Sequence, residues 1–316
     1  MEIAHACQVP VQELTELEFD LILLGNQNNE RCCFLLQNYS LRSGRTLVLI
    51  NSDEPQEYRK LNPKLPPTHS LDIIELSALS GEKIVEYLDS FTNRLNHDEL
   101  NILIDYSCMS THWYASIIKY FYLKEIPCER VNVYFAYIPV NYLEPKKSSF
   151  KRDLHVILKD IDYTNPLISK QALIVGLGYD TEKTEFIIQK VNPTSCYFFY
   201  SQPSFDSRYT EKVLQLNENL IKKIEPGNLL PFPMNDMDAT VEILTRLVLD
   251  LRLENKVVLA SFGPKLLTLA CVLLFARFPD IEILSTGSDN QPNLEDVPIN
   301  LPVIYKAVFL SDEKCE

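Results

Sequence analysis

The stretch from Val257 to Ala270 constrains the fold more than any other. An apolar run, Val257-Val258-Leu259-Ala260, ends in Ser261-Phe262-Gly263-Pro264-Lys265 and passes at once into a helical pattern of Leu266, Leu269, Ala270, Leu273 and Leu274. Such a run followed by a 3.6-residue period reads as a buried strand feeding a helix. Gly263 lets the backbone turn tightly and approach a ligand, because it has no Cβ to clash. Pro264 suits the first helical turn, where its missing N–H costs little. The N–H groups of that helix start, with Lys265 beside them, form a small cationic cup for a phosphate or carboxylate. The same residues also fit a tight strand–helix turn with a solvated lysine.

The rest of the chain repeats this alternation. Strands are expected at Phe19–Leu24, Thr46–Ile50, Asp72–Leu76, Asn101–Asp105 and Val131–Ile138. Helices are expected near Cys32–Tyr39 and over Gly81–Leu95 and Thr111–Leu123. Met1–Glu18 reads as a lead-in, and Pro139–Lys170 as a polar connector with a short strand at His155–Leu158. The second half gives strands at Ala172–Val175, Ser195–Tyr200, Leu229–Phe232, Ile281–Leu284 and, as a last edge strand, Val303–Leu310. Its helices are expected at Thr181–Val191, Tyr209–Ile224 and Asp238–Glu254, the last capped by Asp236 or Asp238. Gly287–Pro302 reads as a long loop.

Strands alternating with helices imply mostly parallel pairing. The expected fold class is therefore α/β, with two Rossmann-like, mostly parallel sheets flanked by helices in a tandem pseudo-repeat. Gly25 and Gly178 each follow a strand, and Ile102–Ser107 and Val257–Phe262 each lead into a helix, at nearly equal offsets between the halves. The expected organisation is an N-terminal lobe over 1–145, a connector over 146–170 and a C-terminal lobe over 171–316.

The net charge of −13, from 43 acidic and 30 basic residues, repels a long polyanion and argues against a dedicated DNA- or RNA-binding face. The basic run Lys146 to Arg152 reads as a solvated linker. No apolar run approaches the roughly 20 residues that span a bilayer, so no membrane association is expected. Eight cysteines without C-x-x-C spacing or a signal peptide read as reduced thiols of a cytoplasmic protein. The histidines His5, His69, His97, His112 and His155 are isolated, and no metal site or cofactor is expected.

Eight glycines occur, and four of them (Gly25, Gly176, Gly178, Gly263) stand where a strand turns into a helix. In open α/β sheets the ligand crevice lies outside the carboxyl ends of the strands, at the topological switch point. Gly25 and Asn26 mark that place in the first half. Gly176, Gly178, Tyr179, Asp180, Ser261, Gly263 and Lys265 mark it in the second. Dinucleotide binding fares poorly: Gly176-Leu177-Gly178 is followed by Thr181 where a third glycine belongs, and the next strand ends in Ser201-Gln202 with no acid for a ribose. There is no phosphate-loop, hydrolase-elbow or zinc-protease motif. Asp105, Ser107, Cys108 and His112 gather chemistry at one strand end, and Cys108 with His112 is a conceivable nucleophile pair. A structural or ligand-facing role for Asp105 and Ser107 is the alternative. The aromatics Trp113, Tyr114, Tyr120, Phe121 and Tyr122 share a helix and read as packing surface.

The run from Ala172 to Ser201 is a strand, a Gly-Leu-Gly-Tyr-Asp turn, a helix and a strand ending in a small polar residue. It resembles the opening of a CARF domain, the Rossmann-like sensor of cyclic oligonucleotides in prokaryotic antiviral systems. Ser261-Phe262-Gly263-Pro264-Lys265 is similar to that family's second motif, which carries paired glycines and a threonine where Phe262 and Pro264 stand here. The likeness covers roughly residues 171–285, with a fainter echo over 19–138 that lacks the lysine. It implies that Gly178 and Tyr179 line the ligand and that Ser261, Gly263 and Lys265 hold phosphate. Two such halves in one chain look like the pseudo-dimer of the related SAVED domains. With no effector domain evident, the resemblance implies signalling through a protein partner. The reading that follows is a sensor or adaptor for a small phosphorylated ligand, a cyclic oligonucleotide among the candidates. The alternatives are a Rossmann-like enzyme acting on a nucleotide glycosidic or phosphodiester bond, using Asp105, Ser107 or Lys265, and a scaffold subunit with empty pockets.

Overall fold

The computed structural model describes residues 1–27, 29–66, 70–95, 98–145, 150–160, 168–288 and 296–311. In chain order its elements begin with β1 (Glu2–Val9), α1 (Gln12–Glu16), β2 (Glu18–Phe19), β3 (Leu21–Asn26), α2 (Phe34–Asn38), β4 (Arg42–Ser43), β5 (Thr46–Asn51) and β6 (Leu71–Leu76). Next come α3 (Glu82–Thr92), β7 (Glu99–Asp105), α4 (Thr111–Leu123), β8 (Arg130–Tyr137), β9 (Phe150–Leu158) and β10 (Gln171–Gly176). Then follow α5 (Thr181–Val191), β11 (Ser195–Ser201), α6 (Ser207–Leu216), α7 (Glu218–Ile221), β12 (Leu229–Phe232) and α8 (Met237–Leu251). The last are β13 (Lys256–Ser261), α9 (Lys265–Arg277), β14 (Glu282–Ser288) and β15 (Val303–Leu310).

The chain divides into two compact units, Met1–Asn141 with Gln291–Glu316, and Tyr142–Asn290. The first holds a seven-stranded sheet in the order β1-β15-β8-β7-β3-β5-β6. The second holds a six-stranded sheet in the order β12-β11-β10-β13-β14-β9. Counting strands within each unit from β3 or from β10, five parallel strands run third, second, first, fourth, fifth. An antiparallel strand lies beside the fifth, β15 next to β8 and β9 next to β14. Each unit is thus a doubly wound α/β sheet, and its order reverses between β3 and β7, or between β10 and β13.

Burial explains the strands. The middle residues of β3, β7, β10 and β13 (22–24, 102–104, 172–175 and 257–260) are apolar and buried, as central parallel strands covered on both faces require. Ile22, Leu24, Val48, Ile50 and Leu103 build one core of the first unit, with Leu14 and Phe19 closing it. Leu173, Val175, Ile187, Phe198, Val213 and Val258 do the same in the second. Helix α9 is buried from Leu266 to Ala276, which its apolar composition on every face allows.

The structure departs from the expected organisation in several places. The segment Met1–Glu18 is not a lead-in: β1 pairs antiparallel with β15 at the rim of the first sheet. Nor is β15 an edge strand of the second half. It lies between β1 and β8 and belongs to the first unit, because Val303, Ile304, Tyr305, Ala307, Val308 and Phe309 are buried and need cover on both faces. The expected connector 146–170 contains β9, which pairs with β14 along its length. Of its basic run, residues 146–149 lie outside the described residues, as do His69 and His97. Strand β14 takes in Gly287 and Ser288 from the expected long loop, of which 289–295 lie outside the described residues. The single helix expected over Tyr209–Ile224 is two, α6 and α7, broken at Asn217. None of the described helices is long and apolar enough to cross a membrane.

Candidate functional site

In the second unit, β10 and β13 end side by side, Gly176 in register with Ser261. The loops that follow lean on each other backbone to backbone. Phe262 donates its N–H to the Gly176 carbonyl at 2.8 Å, and Leu177 donates to Phe199 O at 2.8 Å. A Cβ on Gly178 would lie 1.9 Å from Phe262 O, and one on Gly263 would lie 2.5 Å from Leu177 O. Neither glycine has a positive φ, so close approach rather than backbone conformation demands them. Gly176 is held the same way, its absent Cβ leaving room for Leu267 Cδ2 and Ser261 Oγ.

Around that contact the polar groups are unevenly satisfied. Asn217 is fully buried and donates its side-chain amide to Gly178 O at 2.9 Å and to Val213 O at 2.8 Å, which anchors the glycine loop on α6. Asp180 pairs with Lys183 one turn into α5, at 3.5 Å. The hydroxyls of Ser201, ending β11, and Ser261, ending β13, are buried without a hydrogen-bond partner. Helix α9 starts at Lys265, which is half-buried, after Pro264 at the cap position, and no side chain caps it. Tyr179 lies against Tyr209 with ring centroids 5.0 Å apart, and the Tyr209 hydroxyl stands near Gly263. Burial, then Tyr142, Glu144 and Asp206, pushes the Tyr179 phenol above its ordinary range, so it stays neutral and able to donate. On the outer side Arg208 lies 4.7 Å over the Tyr142 ring and grips Asp206, while Lys212 pairs with Glu144. All seven expected residues of this half come together at one end of the sheet.

The equivalent corner of the first unit is closed and internally bonded. A Cβ on Gly25 would lie 2.6 Å from Cys108 O. Asn26 is buried and spends its side chain on the chain after β5, donating to Lys60 O at 3.0 Å and accepting from Asn62 N at 2.9 Å. Asp105 accepts the Ser107 N–H at 3.1 Å, and Ser107 Oγ accepts the Ile138 N–H at 2.9 Å. The Cys108 sulfur meets Cys32 at 2.7 Å, whereas His112 opens α4 with its N–H on Ser110 Oγ. Asp105, Ser107 and Cys108 therefore do sit together, with polar atoms engaged in holding the loop after β7. Trp113, Tyr114, Tyr120 and Phe121 are buried, in keeping with a packing role.

No protein-family model matches this chain, and no curated protein matches its sequence.

Two residues at these corners carried no signal in the sequence. Arg31 gives the first unit a buried cation: its Nε donates to Ile138 O at 2.7 Å, its guanidinium lies 4.8 Å over the Tyr137 ring, and Nη1 is 3.6 Å from Asp296. Asn217 is the other, hidden in what reads as mid-helix. Among the described residues, no cluster of three or more His, Cys, Asp or Glu side chains is placed to hold a metal. A cavity of about 380 Å³ lies at the other end of the first sheet, lined by Arg45, Asp72, Tyr87, Ser90, Phe91 and Arg94. Arg45 and Tyr87 already satisfy Asp72, at 3.2 and 2.6 Å, and the strands there present their amino ends. Ligands of doubly wound sheets bind at the opposite, carboxyl ends of the strands, at the switch point.

Proposed function

We propose that this chain is a sensor or adaptor whose second unit binds a small phosphorylated, nucleotide-derived ligand on the loops after β10 and β13. What supports the reading is the buried, unpartnered hydroxyl of Ser261 just before the uncapped start of α9, with a second such hydroxyl, Ser201, at the end of β11. Buried polar groups are normally hydrogen-bonded, so an orphan hydroxyl beside a helix N-terminus is suited to an incoming acceptor. Lys265 adds a cation, and the Tyr179–Tyr209 pair adds aromatic surface for a base. The ligand class, a cyclic oligonucleotide among its members, and the prokaryotic antiviral setting rest on the likeness to CARF and SAVED domains. So does the need for a protein partner that carries the effector activity. The shared strand order of the two sheets supports their origin as a duplicated pair.

The test is a thermal-shift panel of mononucleotides, linear oligonucleotides and cyclic di-, tri-, tetra- and hexanucleotides on the full chain. A ligand at 100 times its Kd stabilises by about 2.7 kcal/mol, which for a unit of this size raises Tm by roughly 5–10 °C. Lys265→Ala abolishes that shift. A full response in Lys265→Ala refutes the pocket assignment, and product formation on chromatography points instead to an enzyme. A scaffold with degenerate pockets is the second reading. It draws on the closed corner at Gly25, where Asp105, Ser107 and Asn26 are already bonded within the protein. Silence across the panel, with another protein co-purifying stably, would favour it.

A further inference from the structure

Cys32 and Cys108 are distant in sequence, yet the fold of the first unit brings their sulfurs to 2.7 Å. They arrive from the two loops that meet at the β3/β7 switch point. Cys32 sits on a single 3-10 turn, Glu30–Cys33, after β3, and Cys108 on the loop after β7. The turn is fixed by Asn29, whose Oδ1 accepts the Cys32 N–H at 3.3 Å and its thiol at 3.1 Å and lies 3.7 Å from the Cys108 sulfur. The second loop is fixed by the contact of Gly25 with the Cys108 carbonyl and by the Ser107 hydrogen bond to Ile138. The backbones of both loops are thus held where the two sulfurs meet. Cys33 packs in the same cluster, but among the described residues the short sulfur contact belongs to Cys32 and Cys108.

We propose that Cys32 and Cys108 form a modification site, a reversible intramolecular disulfide closed by a small peroxide. A sulfur–sulfur bond is about 2.05 Å long, so the two sulfurs need to approach by less than ~1 Å to close it. Burial pushes the Cys32 and Cys33 thiols up, Cys33 to about 12, so neither is a thiolate at neutral pH. Cys108, a residue 7% exposed against 2% for Cys32, is the less deeply buried of the two and is assigned the first reaction. Its sulfur gives up a proton to water and attacks one peroxide oxygen. The O–O bond breaks and hydroxide leaves, taking a proton to become water and leaving a sulfenic acid on Cys108. Cys32 then attacks the sulfenic sulfur, the S–O bond breaks, and the departing hydroxide takes the Cys32 proton as a second water. Two thiols lose two electrons in all, one peroxide gains them, and a dithiol reductant reverses the step. The bridge would staple the two loops of the first unit together, independently of any ligand in the second.

The experiment treats the reduced full chain with hydrogen peroxide, unfolds it, alkylates the remaining thiols and maps the peptides by mass spectrometry. The expected product is about 2 Da lighter before alkylation, has the Cys32 and Cys108 peptides joined, and returns to the starting mass with dithiothreitol. Cys33→Ser forms the same bridge, and Cys108→Ser does not. Should Cys108→Ser fail to fold, the peptide map of the unaltered chain still decides. Recovery of Cys32 and Cys108 both alkylated, a bridge to Cys33 instead, or oxidation that stops at sulfinic acid overturns the proposal.

Discussion

Gly178→Ala is the sharpest perturbation the fold offers, since the added methyl would lie 1.9 Å from Phe262 O and 2.7 Å from its carbonyl carbon. Real Cβ contacts stay beyond 3.0 Å, and both obstructing atoms are backbone, so the two loops must part by about 1 Å. That movement strains the Phe262 N–H bond to Gly176 O and the Asn217 bond to Gly178 O. Overpacking costs about 1–3 kcal/mol and each of the two weakened hydrogen bonds about 1 kcal/mol, for a loss of roughly 3–5 kcal/mol. In a unit of about 150 residues this lowers the melting temperature by roughly 6–20 °C. Calorimetry of the full chain should show it, with guanidinium denaturation as a second measure. Gly227→Ala is the internal control, because nothing lies within 4 Å of its missing Cβ and its φ is not positive. There alanine should be neutral or add up to about 1 kcal/mol by restricting the unfolded chain. Gly25→Ala, with its nearest backbone atom at 2.6 Å, should fall between them. A Gly178→Ala chain that melts with the Gly227→Ala chain would refute the claim that these loops meet backbone to backbone.

Other perturbations test other parts of the structure. Arg31→Ala removes the donor to the Ile138 carbonyl and the cation beside Asp296, a loss of about 3 kcal/mol by denaturation, while Arg31→Met, which keeps the stem against Tyr137, loses less. Glu54 is buried, and its carboxyl is held above the ordinary range by that burial first, against the opposing pull of Asn51 and Arg59. The folded state therefore binds this proton more readily than the unfolded state does. Its contribution is fully present below the ordinary carboxyl range and is lost as pH rises through the raised value. Glu54→Gln should accordingly raise the denaturation midpoint at pH 7 and leave it unchanged near about pH 4. Equal gains at both pH values would show that packing, not ionisation, sets the difference.

The sequence foretold most where local pattern and burial agree. Helix α4 occupies the expected Thr111–Leu123, and β12 the expected Leu229–Phe232, because both stand between clear breaks. Asp236 caps α8 through Ala239 N, as a short acid before an apolar period should. The strand–turn–helix unit at Ser261 is present, and the glycines that flagged it are the ones that admit a neighbouring backbone. What escaped is non-local. Strand β1, Glu-Ile-Ala-His-Ala-Cys-Gln-Val, has no clean alternation, and it becomes a strand because β15 offers an edge from the far end of the chain. β15 itself reads correctly as a strand, but nothing in its residues says which sheet it joins. Arg31 and Asn217 are polar residues in ordinary-looking segments, and only the folded chain shows what each one holds.

The two corners then differ for a reason that bears on function. Both units place a glycine where the first strand of the doubly wound order ends, and both use it to admit the carbonyl of the loop after the fourth strand. In the first unit every polar side chain singled out there by the sequence finds a partner within the protein: Asn26, Asp105 and Ser107 in hydrogen bonds, Cys108 against Cys32. In the second, with the same contact made, the Ser201 and Ser261 hydroxyls are left over. An unpaired buried hydroxyl costs about 1–3 kcal/mol, so the strand ends that carry these two give up stability there. Ser201→Ala and Ser261→Ala should each stabilise the ligand-free chain and weaken any nucleotide-induced thermal shift. If both substitutions destabilise the free chain, the hydroxyls serve the fold, and the asymmetry between the corners carries no functional meaning.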